Sequence, residues 1–253
     1  MMRARRLLLA LLAGLLLAGL VEGSIFKLPV PPPQHRYGDL VIDRVSTKAG
    51  QKPVFFSHWT HRTRYTCRVC HFELGFDFKV NRTEITEQAN REGMYCGTCH
   101  DGVVAFGPTD ENCARCHTGK AEIDKQSFLK LQRTLPPTGF GNGINWTRAL
   151  QKGLITPKYS IYRPEEKPLD FNKRLELKAN WSMVTPAIFD HATHVPWLDC
   201  ANCHPDIFNI KKKTTKHFEM RYILEGKFCG VCHLDVAFPL DECELCHPGI
   251  RQR

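Results

Sequence analysis

The chain has 253 residues, a formal net charge of +9, twelve cysteines and twelve histidines. Beyond its first residues no stretch is apolar enough to cross a bilayer, which excludes a multi-span helical membrane protein. The basic balance would suit nucleic acid, but the leader that opens the chain argues for export and against that partner.

Arg3, Arg5 and Arg6 form a positive stretch, and Leu7 to Leu20 form an apolar run broken only by Ala and Gly. Val21-Glu22-Gly23 then sets small residues around a cleavage point before Ser24. This layout predicts a secretory signal peptide over residues 1–23. The apolar run is short of the roughly 20 residues a membrane span needs. Membrane attachment therefore requires the leader to stay uncleaved, since no cysteine lies near it for a lipid. The periplasm is the expected compartment, with extracellular or outer-membrane-associated placement as variants. Cleavage removes three arginines and Glu22, taking the net charge from +9 to +7.

Residues 24–52 form a Pro-rich entry segment, with Pro29 and Pro31 to Pro33 favouring extended backbone. Val41, Ile42 and Val45 are candidates for a short strand. After it come the cysteines, and their spacing overrules the disulfides that an exported chain would suggest. They fall as Cys67/Cys70, Cys96/Cys99, Cys113/Cys116, Cys200/Cys203, Cys229/Cys232 and Cys243/Cys246. Each pair is followed at once by a histidine: His71, His100, His117, His204, His233 and His247.

Cys-x-x-Cys alone would leave zinc, a redox disulfide and haem open. The added His decides for haem c: two thiols form thioethers with the vinyl groups, and the adjacent imidazole reaches the iron as proximal ligand. Structural zinc has no need of a His after every pair. Six covalently bound haems are expected, and no cysteine is left over. Each brings two propionates and an iron–porphyrin core that is +1 when ferric and neutral when ferrous, so +7 becomes about +1 oxidised and about −5 reduced. Much of the Lys and Arg excess compensates propionates.

The chain repeats at an offset of 133 residues. His58, His61, Cys67 and Cys96 map onto His191, His194, Cys200 and Cys229. Pro53, Phe56, Gly93 and Gly97 map onto Pro186, Phe189, Gly226 and Gly230, and Val104-Ala105-Phe106 matches Val236-Ala237-Phe238. Each half reads Phe-x-His-x-x-His and then three Cys-x-x-Cys-His motifs. This order resembles the class III multihaem cytochromes c, in particular their triheme c7-type modules. The resemblance covers residues 53–119 and 186–249, leaving a linker at 120–185 and a tail at 250–253.

The resemblance implies that the first His of each His-x-x-His ligates the first haem and the second His the second. His58 then opposes His71, His61 opposes His100, His191 opposes His204 and His194 opposes His233; exposed surface histidines are the plainer reading. For the third haem it points to a distal ligand shortly before the second motif. Met220 is the candidate opposite His247, with His217 its competitor and core packing the plainer role. In the first half Glu84 and Glu87 stand at those places. The haem on His117 is left with Met94, His35 or no sixth ligand.

In the linker, Ser127 to Arg133 and Asn145 to Lys152 are expected to be short helices, Gly139, Gly141 and Gly143 a turn, and Pro157 to Pro168 a loop. A linker this long is expected to pack over haem faces or dock a partner. The expected fold is mainly α with extensive coil and little strand, a haem-packed chain with short helices around its motifs. Phe56, Phe106, Phe189 and Phe238 are expected against the haems. The expected role is one-electron transfer with other redox proteins of the cell envelope, by a carrier and not an enzyme. Two alternatives stand beside it: a reductase using an open site on the haem of His117, and a subunit of a haem wire or membrane conduit.

Overall fold

The computed structural model describes residue 28 and residues 30–120, 125–178, 184–211 and 215–250. The leader at 1–23 and residues 251–253 of the tail lie outside the described residues. Short helices separated by coil dominate, with two small sheets.

Each half opens on an antiparallel ribbon. In the first, β1 (Asp39–Ile42) pairs with β2 (Val54–Ser57), Asp39 opposite Ser57 and Ile42 opposite Val54. Val45, expected in this strand, lies beyond its end in a turn. The chain passes from β2 directly into α1 (His58–Arg62), which carries both histidines of the His-x-x-His. Further on, α2 (Glu87–Arg91) is capped by Thr86, whose Oγ1 accepts the Ala89 N–H at 3.0 Å.

The linker is folded. It holds α3 (Lys125–Thr134) and α4 (Trp146–Gln151), close to the expected limits, with the glycine turn between them closed by a bridge from Pro137 to Ile144. Asn145 caps α4 by accepting the Arg148 N–H at 3.0 Å. Six of the eight side chains in the buried apolar cluster come from here: Phe128, Leu135, Ile144, Trp146, Ala149 and Ile155. Trp59 of α1 and Trp197 of the second half complete it. The linker thus supplies the protein's conventional core and binds both halves to it.

The second half repeats the first. Its ribbon joins β3 (Arg174–Leu177) to β4 (Ala187–Asp190), Arg174 opposite Asp190, and leads straight into α5 (His191–His194). The ribbons carry the repeat upstream of Pro53 and Pro186 to residues 39 and 174, where the sequences share no pattern. Next, α6 (Met220–Leu224) stands where α2 stood. Two glycines keep these helices against the second motifs. A Cβ on Gly97 would collide with the Asn90 carbonyl, and one on Gly230 with the Ile223 carbonyl. Their repeat at 97 and 230 is therefore a steric requirement.

Candidate functional site

The motifs sit on single helical turns, including Cys113–Cys116, Gly230–His233 and Cys243–Cys246. A turn of this kind keeps both sulfurs and the next imidazole on one side. All twelve cysteines are unpaired by disulfides. Ten of them face one branched cavity of about 3200 Å³, Cys113 and Cys200 being the exceptions. That volume is several times the roughly 300–1,000 Å³ of an ordinary small-molecule site.

The cavity is organised by imidazoles. The rings of His58 and His71 lie with centroids 6.5 Å apart, those of His61 and His100 6.4 Å apart, and those of His194 and His233 6.3 Å apart. Two imidazoles bound through Nε2 on opposite sides of one metal, each by a bond of about 2 Å, have centroids roughly 6 Å apart. Three of the four expected pairs therefore stand at the spacing of a shared iron. His191 and His204 form no such ring pair among the described contacts. Also among the described residues, no three of His, Cys, Asp and Glu converge on one point, as a closed zinc site requires.

Every one of the ten motif and distal histidines has its Nδ1 within hydrogen-bond reach of a backbone carbonyl. The proximal ring of His71 reaches Phe76 at 2.9 Å, His100 reaches Phe106 at 3.1 Å and His117 reaches Lys52 at 2.7 Å. In the second half His204 reaches Phe208 at 2.7 Å, His233 reaches Phe238 at 3.2 Å and His247 reaches Thr185 at 2.7 Å. The distal rings behave alike: His58 to Gly38 at 2.7 Å, His61 to Ser57 at 3.1 Å, His191 to Lys173 at 2.6 Å and His194 to Asp190 at 2.8 Å. A carbonyl only accepts, so Nδ1 carries the proton and Nε2 keeps its lone pair for a metal. Burial works in the same direction, holding His58 down to about 3 and His233 to about 4, with His61, His71 and His194 also lowered.

The four phenylalanines expected against the haems orient these rings. Phe56 stacks on His61 at 4.6 Å and meets His58 edge-on at 5.0 Å. Phe189 treats His194 and His191 the same way, at 4.5 and 4.8 Å. Phe106 and Phe238 lie 4.5 and 4.2 Å from His100 and His233 and also supply their carbonyls.

The third haem sites differ. Met220, the first residue of α6, lines the cavity together with Cys243, Cys246 and His247. His217 has a positive φ of 56°, meets Tyr222 edge-on at 6.0 Å and is not among the cavity's lining residues. In the first half Glu84 and Glu87 turn to solvent, their side chains 68% and 74% exposed, and pair with Arg44 and Arg91. Met94 is 47% exposed, and neither it nor His35 lines the cavity.

Sequence reasoning missed Arg68, which lies between Cys67 and Cys70. Its guanidinium is buried and donates to Glu73 at 2.5 Å, to Asp199 at 3.2 Å, to both oxygens of Glu166 at 3.1 and 3.2 Å and to the Tyr159 carbonyl at 3.2 Å. Burial alone would raise the Glu73 carboxyl; bonds from Ser160, the Ile161 N–H and Arg68 outweigh it and hold it below the ordinary range. Asp199 directly precedes Cys200, so this cluster ties the first motif of one half to the first motif of the other. No signal in the sequence separated Arg68 from any other residue between two motif cysteines.

The family model for cytochrome c7 and related cytochrome c matches residues 54–118 and 187–248. No curated protein matches the chain. Solved structures similar to it include the C-terminal hexaheme fragment of GSU1996, at 25% identity over 87% of this chain and 99% of that one, with a TM-score of 0.28. The dodecaheme cytochrome c GSU1996 is 25% identical over 85% of this chain and 75% of its own, with a TM-score of 0.29.

Proposed function

Because this chain belongs to the family of cytochrome c7 and related cytochromes c, we propose that it is a six-haem carrier passing single electrons between redox proteins of the cell envelope. The twelve cysteines fit six haem c sites, in triheme modules at residues 53–119 and 186–249. The facing imidazoles with one common spacing are the observation that carries the reading.

In this reading His71, His100, His117, His204, His233 and His247 are the proximal ligands. His58, His61, His191 and His194 are the distal ligands, each opposite the partner that motif order gives it. Met220 serves opposite His247, supported by its place on the cavity wall. The irons supply reversible one-electron chemistry, and the backbone carbonyl at each Nδ1 leaves the Nε2 lone pair free for the metal. Two axial ligands leave no position for a substrate, so the chain's control is over potential: ligand type, burial and hydrogen bonding. Intact mass and a pyridine haemochrome count on protein matured with c-type machinery test the reading. Six haems are expected, and fewer would break it.

One observation favours a second reading for a single centre. With Glu84 and Glu87 paired to arginines at the surface, the haem on His117 has no side chain from the repeat as sixth ligand. Carbon monoxide added to the reduced protein should bind at one haem of six. An unchanged spectrum would remove both this open site and any reductase built on it.

A further inference from the structure

The repeat is an internal control: a residue both modules need stands in both, and one that differs serves something the modules do not share. Arg62 is of the second kind. It ends α1 directly after His61, and its counterpart after His194 is Val195. The half-buried side chain lines the cavity, its Cζ 5.2 Å from the centre of the Trp146 ring. Its Nη2 donates to the Val236 carbonyl at 3.4 Å. Val236 lies three residues past His233, so a side chain of the first module reaches the second module's middle motif. Two further contacts join the same places. The Tyr37 hydroxyl donates to the Leu234 carbonyl at 3.4 Å, and at Gly38, whose carbonyl holds His58, a Cβ would meet the Asp235 carbonyl at 3.9 Å.

Arg44, Arg68, Arg82, Arg91 and Arg163 each form ion pairs, whereas Arg62 forms none with a carboxylate among the described residues. Its charge acts on what is nearest. Cys67 packs against the apolar cluster that holds Trp146, the ring beneath the guanidinium, and Val236, which takes the Arg62 hydrogen bond, donates its own N–H to the Cys232 carbonyl at 3.2 Å. The attachment points of a haem in each module therefore lie around one cation.

We propose that Arg62 is the fixed positive charge at the crossing between the modules, and that it raises together the potentials of the two haems attached through Cys67 and Cys232. The inference rests on the six-haem reading above. It makes the junction of the haems on His71 and His233 the route from one module to the other. The step is the passage of one electron from a ferrous to a ferric centre, with no bond made or broken. A neighbouring cation disfavours the ferric state, which carries one more positive charge, so Arg62 acts as a positioning residue through electrostatics.

A redox titration of the full protein, resolved haem by haem by NMR, tests this in wild type, Arg62→Met and Arg62→Lys. The Met variant should lower the midpoints of the haems on His71 and His233 and leave those on His117 and His247 in place. The Lys variant should keep both near wild type. Equal shifts in the two variants would mean Arg62 only fills space, and unmoved potentials would overturn the inference outright. If Arg62→Met does not mature, the unmodified protein decides: the strongest redox interaction between modules should join the haems on His71 and His233, and a stronger one elsewhere overturns the proposal. A wild-type haem count below six counts against the carrier reading. With six haems present, an unshifted pair counts against Arg62 alone.

Discussion

An imidazole that binds iron through Nε2 keeps its proton on Nδ1 and almost always donates it to an acceptor that fixes the ring. Here the acceptors are backbone carbonyls in both modules, at equivalent places: Gly38 and Lys173, Ser57 and Asp190, Lys52 and Thr185. The proposed ligands were legible in the sequence because a motif writes them as residue types. Their acceptors were not, because a carbonyl belongs to every residue and only the path of a distant segment brings it near. The same contrast explains Met220 and His217. Both lie within one short stretch, and the positive φ of His217 together with its Tyr222 contact turns that ring aside. Thioether ligation raises the potential relative to a second imidazole. Met220→Ala should therefore abolish the near-infrared Met–iron charge-transfer band. It should also lower the midpoint of the haem on His247 by at least about 60 mV, roughly a tenfold change for one electron. His217→Ala should leave both unchanged. A band that survives in Met220→Ala would transfer the role elsewhere.

At the scale of the element, the modules are built from pieces too short to be stable alone. Isolated helices below roughly 12–15 residues are marginal in water, and α1, α2, α5 and α6 each have five residues or fewer. They hold their place through what they touch. Gly93 and Gly226 end α2 and α6 with φ near +80°, and Gly97 and Gly230 then let the second motif press on the helix backbone. The sequence displayed these glycines as a repeat without saying why they recur; the reason is a carbonyl one element away. Forcing a methyl into such a contact costs about 1–3 kcal/mol. Gly97→Ala and Gly230→Ala should each destabilise the haem-loaded protein by that order in a denaturant titration, and by similar amounts because the contact is the same. A variant as stable as wild type would show that the helix can retreat from the motif and that the close approach is dispensable.

For the whole molecule, the question is what keeps two modules in one arrangement. The linker reads as helices and coil in sequence, and its apolar residues are scattered among prolines and glycines. Only in the fold do Phe128, Ile144 and Trp146 meet Trp59 from one module and Trp197 from the other. Beside that apolar joint lies the polar one around Arg68, fully buried among Glu73, Glu166 and Asp199. Arg68 also takes the Trp197 carbonyl on its backbone N–H at 2.9 Å, and Phe72 and Tyr159 flank its guanidinium at 4.9 and 4.8 Å. Its counterpart in the second module is Ala201, so the cluster belongs to the junction and not to haem attachment as such. Removing one partner of a buried ion group leaves uncompensated charge, at a cost of about 3–5 kcal/mol. In Arg68→Met, Glu73, Glu166 and Asp199 would lose the cation they share, and the Glu73 carboxylate, 5% exposed, gains water only if the modules part. The variant should therefore load six haems, unfold at markedly lower denaturant, and expose the 120–185 segment to limited proteolysis before either module is cut. Cleavage that begins inside a module at the wild-type rate would show that the Trp59–Trp197 core alone fixes the arrangement and that Arg68 adds nothing to it.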